Sequence, residues 1–415
     1  MSDVSLNIAV LAHSYLPVSG GIQTYIHSNA RELCNLGHRV HVIVPNNGLD
    51  LPPDEIIDGV QVHRTSVKDI FWSYPVEDNA IGGWRTNDDH AGWGAQNLQL
   101  VMDALPLIKK YKIDVIHTHF TATFAGEILN LYHNIPYVDS IHGFFTDYFP
   151  SREMSQAAEN FYTNSNVAQV VVLSNYVANH CIEGGIPEKL ITIVNPSASP
   201  VKFNQNIPGD MFRKRLGLTD SDQVILAPIR LQRRKGFETA MMAMPLILKE
   251  FPNAHLVISG GSSANPAGIN EALRLYNDRL GELDLYHRVH LLLNQITDEQ
   301  MPQLYSAADV VLMPSTQEGF GISSIEAQIM KKPVVASRIE PFEEAMGDTA
   351  IYFEPKDAQG AAKQIMEVLR SETFAATYAE KGYQRVKNLY DPVKQAEMLL
   401  GVYELAIEKN HGMLD

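Results

Sequence analysis

Short apolar runs alternate with helix-period segments along this chain, and this alternation limits the possible folds more than any other feature. Residues 7–12 form the first apolar run and predict a buried strand. Residues 21–36 follow with apolar side chains at helical spacing, and residues 38–44 predict the next strand. A strand, a helix and a second strand in this order predict a parallel sheet with helices on both faces.

The same order begins again near the middle of the 415 residues, with a predicted strand at 224–229, a helix at 235–250 and a strand at 255–260. The other predicted strands are 60–63, 114–117, 136–140, 170–173, 191–194, 289–293, 310–313, 333–336 and 350–353. Pro, Asn and Ser are frequent in residues 195–210, which is typical of a linker. We therefore expect two doubly wound α/β domains, over residues 1–200 and 201–390, and a helical C-terminal end.

The balance of charge disfavours several classes of partner. There are 33 Lys and Arg residues against 48 Asp and Glu residues, which gives a net charge of −15. Nucleic-acid binding and stable docking on an anionic membrane both need positive charge, although Lys109, Lys110 and Lys112 form a small basic cluster. Only two cysteines, no basic leader and no run of 18 apolar residues predict a cytoplasmic protein without membrane insertion.

Candidate ligand-binding residues of the first half follow predicted strands. Gly20 and Gly21 form the turn before the first helix, where the backbone can approach an anion, although an ordinary turn explains them equally well. Neither a dinucleotide fingerprint nor a P-loop is present. His117 and His119 share one face of a strand without an obvious third metal ligand. His142 ends the next strand, where it can donate to a sugar or a phosphate.

Four cations follow the first strand of the second half, namely Arg230, Arg233, Arg234 and Lys235. Cations at the start of a helix oppose its dipole, and an anionic ligand relieves that conflict. The turn therefore predicts a diphosphate site, the alternative being a solvated surface run.

A glycine loop with two carboxylates follows the predicted strand 310–313. Glu318 lies in the loop and can reach sugar hydroxyls, whereas Glu326 lies on the next helical turn and can accept from a diol such as ribose. The alternative for Glu326 is a capping box with Ser323. The candidate nucleotide-binding residues of this segment are Glu318, Gly319, Phe320, Gly321, Ile322, Ser323 and Glu326.

Residues 69–95 hold all three tryptophans and show little periodicity. They predict an irregular excursion, which either folds its aromatic side chains onto the first domain or covers a substrate. In the second case Trp72 and Trp84 are candidate acceptor contacts.

Taken together, these motifs resemble those of the retaining glycosyltransferases of family 4. The motifs are the Gly20-Gly21 turn, the strand ends at His117, His119 and His142, the Arg230-x4-Lys235-Gly236 turn, and the E-x7-E motif of Glu318 and Glu326. The resemblance covers nearly the whole chain. It implies the GT-B fold, in which two Rossmann-like domains face each other across a cleft, with a final helix, here 391–415, crossing back to the first domain. Residues 195–198, Asn-Pro-Ser-Ala, depart from the Asn-Gly-x-Asp that family members often carry.

The same resemblance implies a nucleoside-diphosphate sugar held by the second domain and an acceptor held by the first, to which His117 and His119 are candidate contacts. It assigns catalytic roles to His142, Arg230, Lys235 and Glu318. It also assigns ribose binding to Glu326, base contacts to Asn294 and Ile296, and contact with the donor phosphates or the acceptor to Gly20 and Gly21. No metal or other cofactor is expected, because the cations take the place of a metal.

The donor and the acceptor stay open at this point. UDP is the base that the resemblance favours, with GDP and ADP as alternatives. The net charge favours a soluble sugar-like acceptor over a membrane lipid or polysaccharide. A nucleotide-sugar epimerase, a phosphorylase and a non-catalytic sugar-nucleotide-binding protein are the competing functions, and the oligomeric state is not predicted.

Overall fold

The computed structural model describes residues 5–18, 20–46, 50–65, 87–119, 122–143, 152–260, 266–293 and 296–412. The chain divides into two compact units. The first unit comprises Met1–Pro196 and Pro392–Asp415, and the second comprises Ser197–Asp391.

An eight-stranded sheet forms the centre of the first unit, in the order β3-β4-β2-β1-β5-β6-β7-β8. Its strands are β1 Asn7–Leu11, β2 Arg39–Pro45, β3 Asp54–Ile57, β4 Val60–Thr65, β5 Val115–His119, β6 Tyr137–Ile141, β7 Gln169–Val172 and β8 Ile191–Ile193. All neighbours pair in parallel except β3, which pairs antiparallel with β4 at the edge. Strands β1, β5 and β6 are central and wholly or almost wholly buried, as expected for a parallel sheet covered on both faces.

Helices cover both faces of this sheet. They are α1 Gly21–Asn35, α2 Asn87–Tyr111, α3 Thr123–His133, α4 Arg152–Asn164, α5 Asn175–Glu183 and, from the end of the chain, α14 Pro392–Asn410. Leu399 and Tyr403 of α14 are buried in one apolar core with Ile8 of β1. The opposite core contains Leu100 of α2 and Leu129 of α3. The last helix of the chain is therefore part of the first unit.

The second unit has a six-stranded parallel sheet in the order β11-β10-β9-β12-β13-β14. Its strands are β9 Gln223–Ala227, β10 Ala254–Gly260, β11 Val289–Leu293, β12 Val310–Met313, β13 Val334–Ser337 and β14 Ile351–Phe353. Its helices are α6 Asp210–Arg215, α7 Phe237–Leu248, α8 Pro266–Glu282, α9 Met301–Ala307, α10 Ile322–Ile329, α11 Glu340–Met346, α12 Ala358–Arg370 and α13 Glu372–Leu389. Strands β9 and β12 are neighbours that are far apart in sequence, so the loops that follow them leave the same edge of the sheet side by side.

The predicted α/β class and the predicted strands are confirmed, each strand to within two residues at either end. Strand β3 was not predicted, because it has only four residues and lies at the edge of the sheet. Its side chains are largely exposed, so the sequence shows no clear apolar pattern there. The irregular structure predicted for residues 69–95 is wrong from Asn87 onward, since α2 begins there.

Trp72 and Trp84 lie outside the described residues. Throughout the described ranges, no helix is both long and apolar enough to cross a membrane.

Candidate active site

The turn that follows β9 is held against the loop that follows β12. Arg233–Lys235 form one turn of 3-10 helix, and Gly236 leads into α7 with a left-handed φ of +75°. A Cβ atom at Gly236 would lie 2.0 Å from the carbonyl oxygen of Pro314, so only glycine allows this approach. The predicted helix start at residue 235 is therefore wrong by two residues, because Lys235 belongs to the turn and points from it rather than from the helix.

This approach joins two residues that are 83 positions apart. The Lys235 Nζ atom donates to Glu318 Oε1 at 2.6 Å, and the Ser315 hydroxyl donates to the same oxygen at 2.8 Å. The side chains of Lys235 and Glu318 are only 17% and 10% exposed. A predicted phosphate ligand and a predicted sugar ligand therefore form one buried ion pair at the carboxyl ends of two neighbouring strands.

The ion pair determines the protonation of its members. Burial by itself raises the pKa of Glu318, but the Lys235 ammonium and the hydrogen bonds from Lys235 and Ser315 outweigh it, and the pKa is lowered overall. Burial lowers the pKa of Lys235, and the nearby charge of Arg234 and Arg230 adds to this, whereas Glu318 opposes it. Glu318 is thus a carboxylate at neutral pH.

The remaining cations of the turn have different surroundings. Arg230, three residues after the end of β9, is half-buried, whereas Arg233 and Arg234 are exposed. Arg233 lies 3.6 Å from Glu238 and 3.9 Å from Glu271, so its charge is shared with acidic residues. The Arg234 guanidinium donates to the Gln317 carbonyl at 3.4 Å. Arg230 and Lys235, the two cations of the predicted motif, are therefore the more buried ones.

A second tight glycine begins the helix that carries Glu326. Gly321 has a φ of +94°, and a Cβ atom there would lie 2.5 Å from the Phe342 ring. The Phe320 ring is buried and packs edge-on against Tyr390 at 5.3 Å, so it is the backbone of Phe320 that can face a ligand. Gly319 is half-buried between Glu318 and Phe320, and Ile322 is the first residue of α10.

The structure excludes the capping-box explanation of Glu326. Gly321 is the N-cap of α10, so Ser323 is already inside the helix and caps nothing through its side chain. The Glu326 side chain instead accepts a hydrogen bond from the Tyr305 hydroxyl at 2.9 Å. Burial raises the pKa of Glu326 to about 7, so this carboxyl gains and loses its proton near neutral pH.

In the first unit, a histidine cluster (His117, His119 and His142) lies at the ends of β5 and β6. The His119 Nδ1 atom lies 2.7 Å from His142 Nε2, and one of the two must carry the proton between them. His117 is within 2.7 Å of both the Tyr403 hydroxyl and the Ser140 hydroxyl. Within the described part of the chain, the buried Nδ1 atom of His142 has no hydrogen-bond partner.

Burial keeps this cluster neutral. It lowers the pKa values of His117 and His142 to about 3 and that of His119 well below its usual range. A role for these imidazoles is therefore that of neutral donors or acceptors of hydrogen bonds. Contact of His117 or His119 with an acceptor stays a prediction.

The other predicted site residues are described only in part. Gly20 is the N-cap of α1 and accepts from Thr24 N at 2.9 Å, and Gly21 is exposed at the first position of that helix. Ile296 is half-buried, whereas Asn294 lies outside the described residues. In the described ranges there is no group of three His, Cys, Asp or Glu side chains that could hold a metal ion.

Two residues of this site were missed by the sequence analysis, Ser315 and Tyr305. Ser315 lies three residues before Glu318, but a serine after a strand is too common to predict a bond to a carboxylate. Tyr305 is 21 residues from Glu326 and lies on a different helix, so no local motif connects them.

Two family models match consecutive parts of the chain. The model described as Glycosyltransferase Family 4 matches residues 19–198, and the model described as Glycosyl transferases group 1 matches residues 210–385. The first match lies in the unit with the histidine cluster, and the second contains the Lys235–Glu318 ion pair.

Comparison with individual proteins gives matches of full length. An uncharacterized glycosyltransferase of Methanocaldococcus jannaschii is 28% identical, over 97% of this chain and 99% of that protein. The D-inositol 3-phosphate glycosyltransferase of Corynebacterium urealyticum is 24% identical, over 96% and 94%. Among solved structures, Anabaena HepE in complex with UDP and glucose has a TM-score of 0.74 at 19% identity, over 96% of this chain and 99% of that one, which shows a common fold.

Proposed function

Because this chain is a glycosyltransferase of the family 4 type with the GT-B fold, we propose that it transfers a hexosyl group, with retention of anomeric configuration, from a nucleoside-diphosphate sugar to a hydroxyl of a small sugar-like acceptor. The observation that carries the proposal is the junction of the loops after β9 and β12. There, Gly236 packs against Pro314 and a buried lysine meets Glu318.

The second unit holds the donor in this proposal. Arg230 and Lys235 bind the diphosphate, Glu326 accepts from the ribose hydroxyls, and the base lies near Ile296 and Asn294. Glu318 accepts from hexose hydroxyls while it holds Lys235 in place. An ammonium has three N–H donors, so Lys235 can bond a phosphate oxygen without leaving Glu318.

UDP is the favoured nucleotide, with GDP and ADP as alternatives. HepE was solved with UDP and glucose, which supports a uridine nucleotide for a chain of the same fold. The name of the inositol-phosphate relative supports a small phosphorylated or polyhydroxylated acceptor. We assign acceptor binding to the first unit.

In the proposed reaction, the bond between the anomeric carbon and the diphosphate breaks through an oxocarbenium-like transition state. Negative charge grows on the departing diphosphate, and Arg230 and Lys235 stabilise it where it develops. The acceptor hydroxyl attacks from the same face of the sugar and gives its proton to a phosphate oxygen. The nearness of His142 to the transferred sugar and the independence from metal rest on the resemblance. In the proposal, His142 bonds the sugar through its Nδ1 atom, which has no partner among the described residues.

The test starts with the donor. UDP-, GDP- and ADP-hexoses are compared by thermal shift, since a ligand that binds only the folded protein raises its melting temperature. The donor with the largest shift is then incubated with inositol phosphate, hexose phosphates and free hexoses in the presence of EDTA. We expect nucleoside diphosphate to be released only with an acceptor, and NMR of the product to show the donor's anomeric configuration.

Other outcomes would contradict defined parts of the proposal. An isomerised donor without transfer would indicate an epimerase, and an inverted product would contradict retention. Strong binding of a donor without turnover on any acceptor would indicate a binding protein. Turnover that stops with EDTA and returns with Mg²⁺ would contradict metal independence.

A further inference from the structure

The Tyr305 hydroxyl lies between two acceptors next to the predicted ribose site. Tyr305 of α9 is fully buried, and its hydroxyl oxygen is 2.9 Å from Glu326 Oε2 and 3.2 Å from the Ser323 carbonyl oxygen. The Phe203 ring packs edge-on against the Tyr305 ring at 6.0 Å, which limits its movement. The hydroxyl is therefore held at one place relative to the start of α10.

A tyrosine hydroxyl has one proton to donate, so it cannot donate to both acceptors at once. When Glu326 is ionised, the hydroxyl donates to Oε2. When Glu326 is protonated on Oε2, the carboxyl donates to the tyrosine oxygen, and the hydroxyl donates to the Ser323 carbonyl. Both protonation states of this buried carboxyl thus have a complete hydrogen bond at Oε2.

The bond to Tyr305 also decides which part of Glu326 can meet a ligand. Because Oε2 already accepts from the Tyr305 hydroxyl, Oε1 is left to accept from a ligand hydroxyl. The bond at Oε2 also restricts rotation of the carboxylate and so sets the position of Oε1. A carboxylate whose rotation is restricted loses less entropy on binding a diol than a free one. The hydroxyl of Tyr305 is therefore placed to act on a ligand that it does not touch.

We propose that Tyr305 is the positioning residue of the nucleotide site, and that through Glu326 it gives the protein its preference for a ribonucleotide over the 2′-deoxyribonucleotide. This inference rests on the proposed function, in which Glu326 accepts from the ribose.

Three groups surround the Glu326 carboxyl and set its charge. The pKa of Glu326 is raised to about 7 overall, because burial and, to a smaller extent, Asp298 raise it more than Lys202 and the Tyr305 hydroxyl lower it. Lys202 and Asp298 form an ion pair with each other, so their opposite effects partly cancel. Loss of the Tyr305 hydroxyl therefore moves the pKa of Glu326 upward and leaves less carboxylate at neutral pH.

The experiment compares Tyr305→Phe with a matched control, Tyr137→Phe. Tyr137 is also fully buried and donates to a glutamate, Glu127 Oε2, at 2.8 Å, but it belongs to the first unit. Affinities for UDP, GDP and ADP are measured by calorimetry, and the tightest of them is compared with its 2′-deoxy analogue.

We expect the unmodified protein to prefer the ribonucleotide, and Tyr305→Phe to weaken ribonucleotide binding about tenfold, the amount associated with one hydrogen bond to a charged group. Binding of the 2′-deoxy analogue should change much less, because it lacks the hydroxyl that Glu326 accepts. Glu326→Gln should lose the preference, and adding Tyr305→Phe to it should have no further effect. Tyr137→Phe should leave both affinities unchanged.

A pH series gives a second readout that loss of packing alone would not produce. The diphosphate of a nucleoside-diphosphate sugar has no ionisation near pH 7, so its affinity reports the protein. We expect this affinity to rise with pH through about 7 as Glu326 ionises, and the midpoint to move to higher pH in Tyr305→Phe. Glu326→Gln should show no such midpoint.

The failures are distinguishable. If Glu326→Gln loses the ribose preference while Tyr305→Phe keeps it with an unchanged midpoint, the role of Tyr305 is wrong and the proposed function stands. If the unmodified protein binds the ribonucleotide and the 2′-deoxyribonucleotide equally, the ribose role of Glu326 and the role of Tyr305 are both wrong. If it binds none of the nucleotides, the proposed function falls as well. Should Tyr305→Phe not fold, Phe203→Leu takes its place, since it removes the ring that limits the movement of Tyr305 and leaves the hydroxyl in the protein. Its ribose preference must fall, and an unchanged preference overturns the inference.

Discussion

Replacement of Lys235 by methionine separates the structural role of the buried ion pair from its proposed role in catalysis. Methionine keeps the length of the side chain and removes its charge. Glu318, whose side chain is 10% exposed, then keeps the Ser315 hydroxyl at 2.8 Å as a donor but has lost the ammonium. Breaking a buried pair from one side costs about 3–5 kcal/mol. Since Lys235 is 17% exposed, we expect the lower end, about 3 kcal/mol, at pH 7.

The double variant Lys235→Met/Glu318→Gln removes both charges of the pair and should recover part of this loss. Turnover should fall by a factor of about 10² or more in both variants, because the cation that stabilises the diphosphate is absent from both. Stability is measured by urea unfolding and turnover by release of nucleoside diphosphate. Arg370→Met is the control, since it removes a cation from an exposed ion pair with Glu250 and should change neither quantity appreciably.

The effect on stability also has a defined dependence on pH. Because Lys235 holds the pKa of Glu318 below its ordinary value of 4.5, the stabilisation is complete above that value and is lost as the pH falls through the lowered pKa. The single variant and the unmodified protein should therefore converge in acid. Unchanged turnover in Lys235→Met would refute the diphosphate role, and unchanged stability would refute the energetic argument for the buried pair.

Two further predictions concern stability, both read by denaturant unfolding. Gly236→Ala should destabilise the second unit much more than Gly217→Ala. Both glycines have a positive φ, +75° and +70°, but a Cβ atom at Gly236 meets Pro314, whereas one at Gly217 meets open space and should lower the free energy of unfolding by about 1–2 kcal/mol. Equal losses of stability would contradict the close approach of Gly236 to Pro314. The free energy of unfolding should fall as the pH drops from about 6.5 toward 3, by up to about 1.4 kcal/mol per pH unit for each histidine of the cluster. The reason is that histidines of the unfolded chain bind protons in this range, whereas the buried imidazoles do not. A free energy of unfolding that does not change with pH would contradict the neutral state of the cluster.

Much of the fold could be predicted from the amino-acid sequence because the signals are local. Central parallel strands are buried on both faces and appear as continuous apolar runs, and the helices between them keep one apolar stripe. The edge strand Asp54–Ile57 and the start of the helix Asn87–Tyr111 were not predicted. The strand is short and largely exposed, so burial leaves little pattern in its own residues.

Most residues of the site could be predicted from the sequence, but the contacts between them could not. The cationic turn and the carboxylates could be recognised in the sequence because chain order alone places them after strands, at the edge of the sheet where ligands bind. Their partners could not. Three pairings depend on contacts between elements that are distant in the chain. They are Lys235 with Glu318, Tyr305 (and not Ser323) with Glu326, and His119 with His142. Residue types and spacing thus determined which chemical groups the site contains, whereas packing between helices and strands decided which groups touch, how deeply they are buried and therefore which of them carry charge.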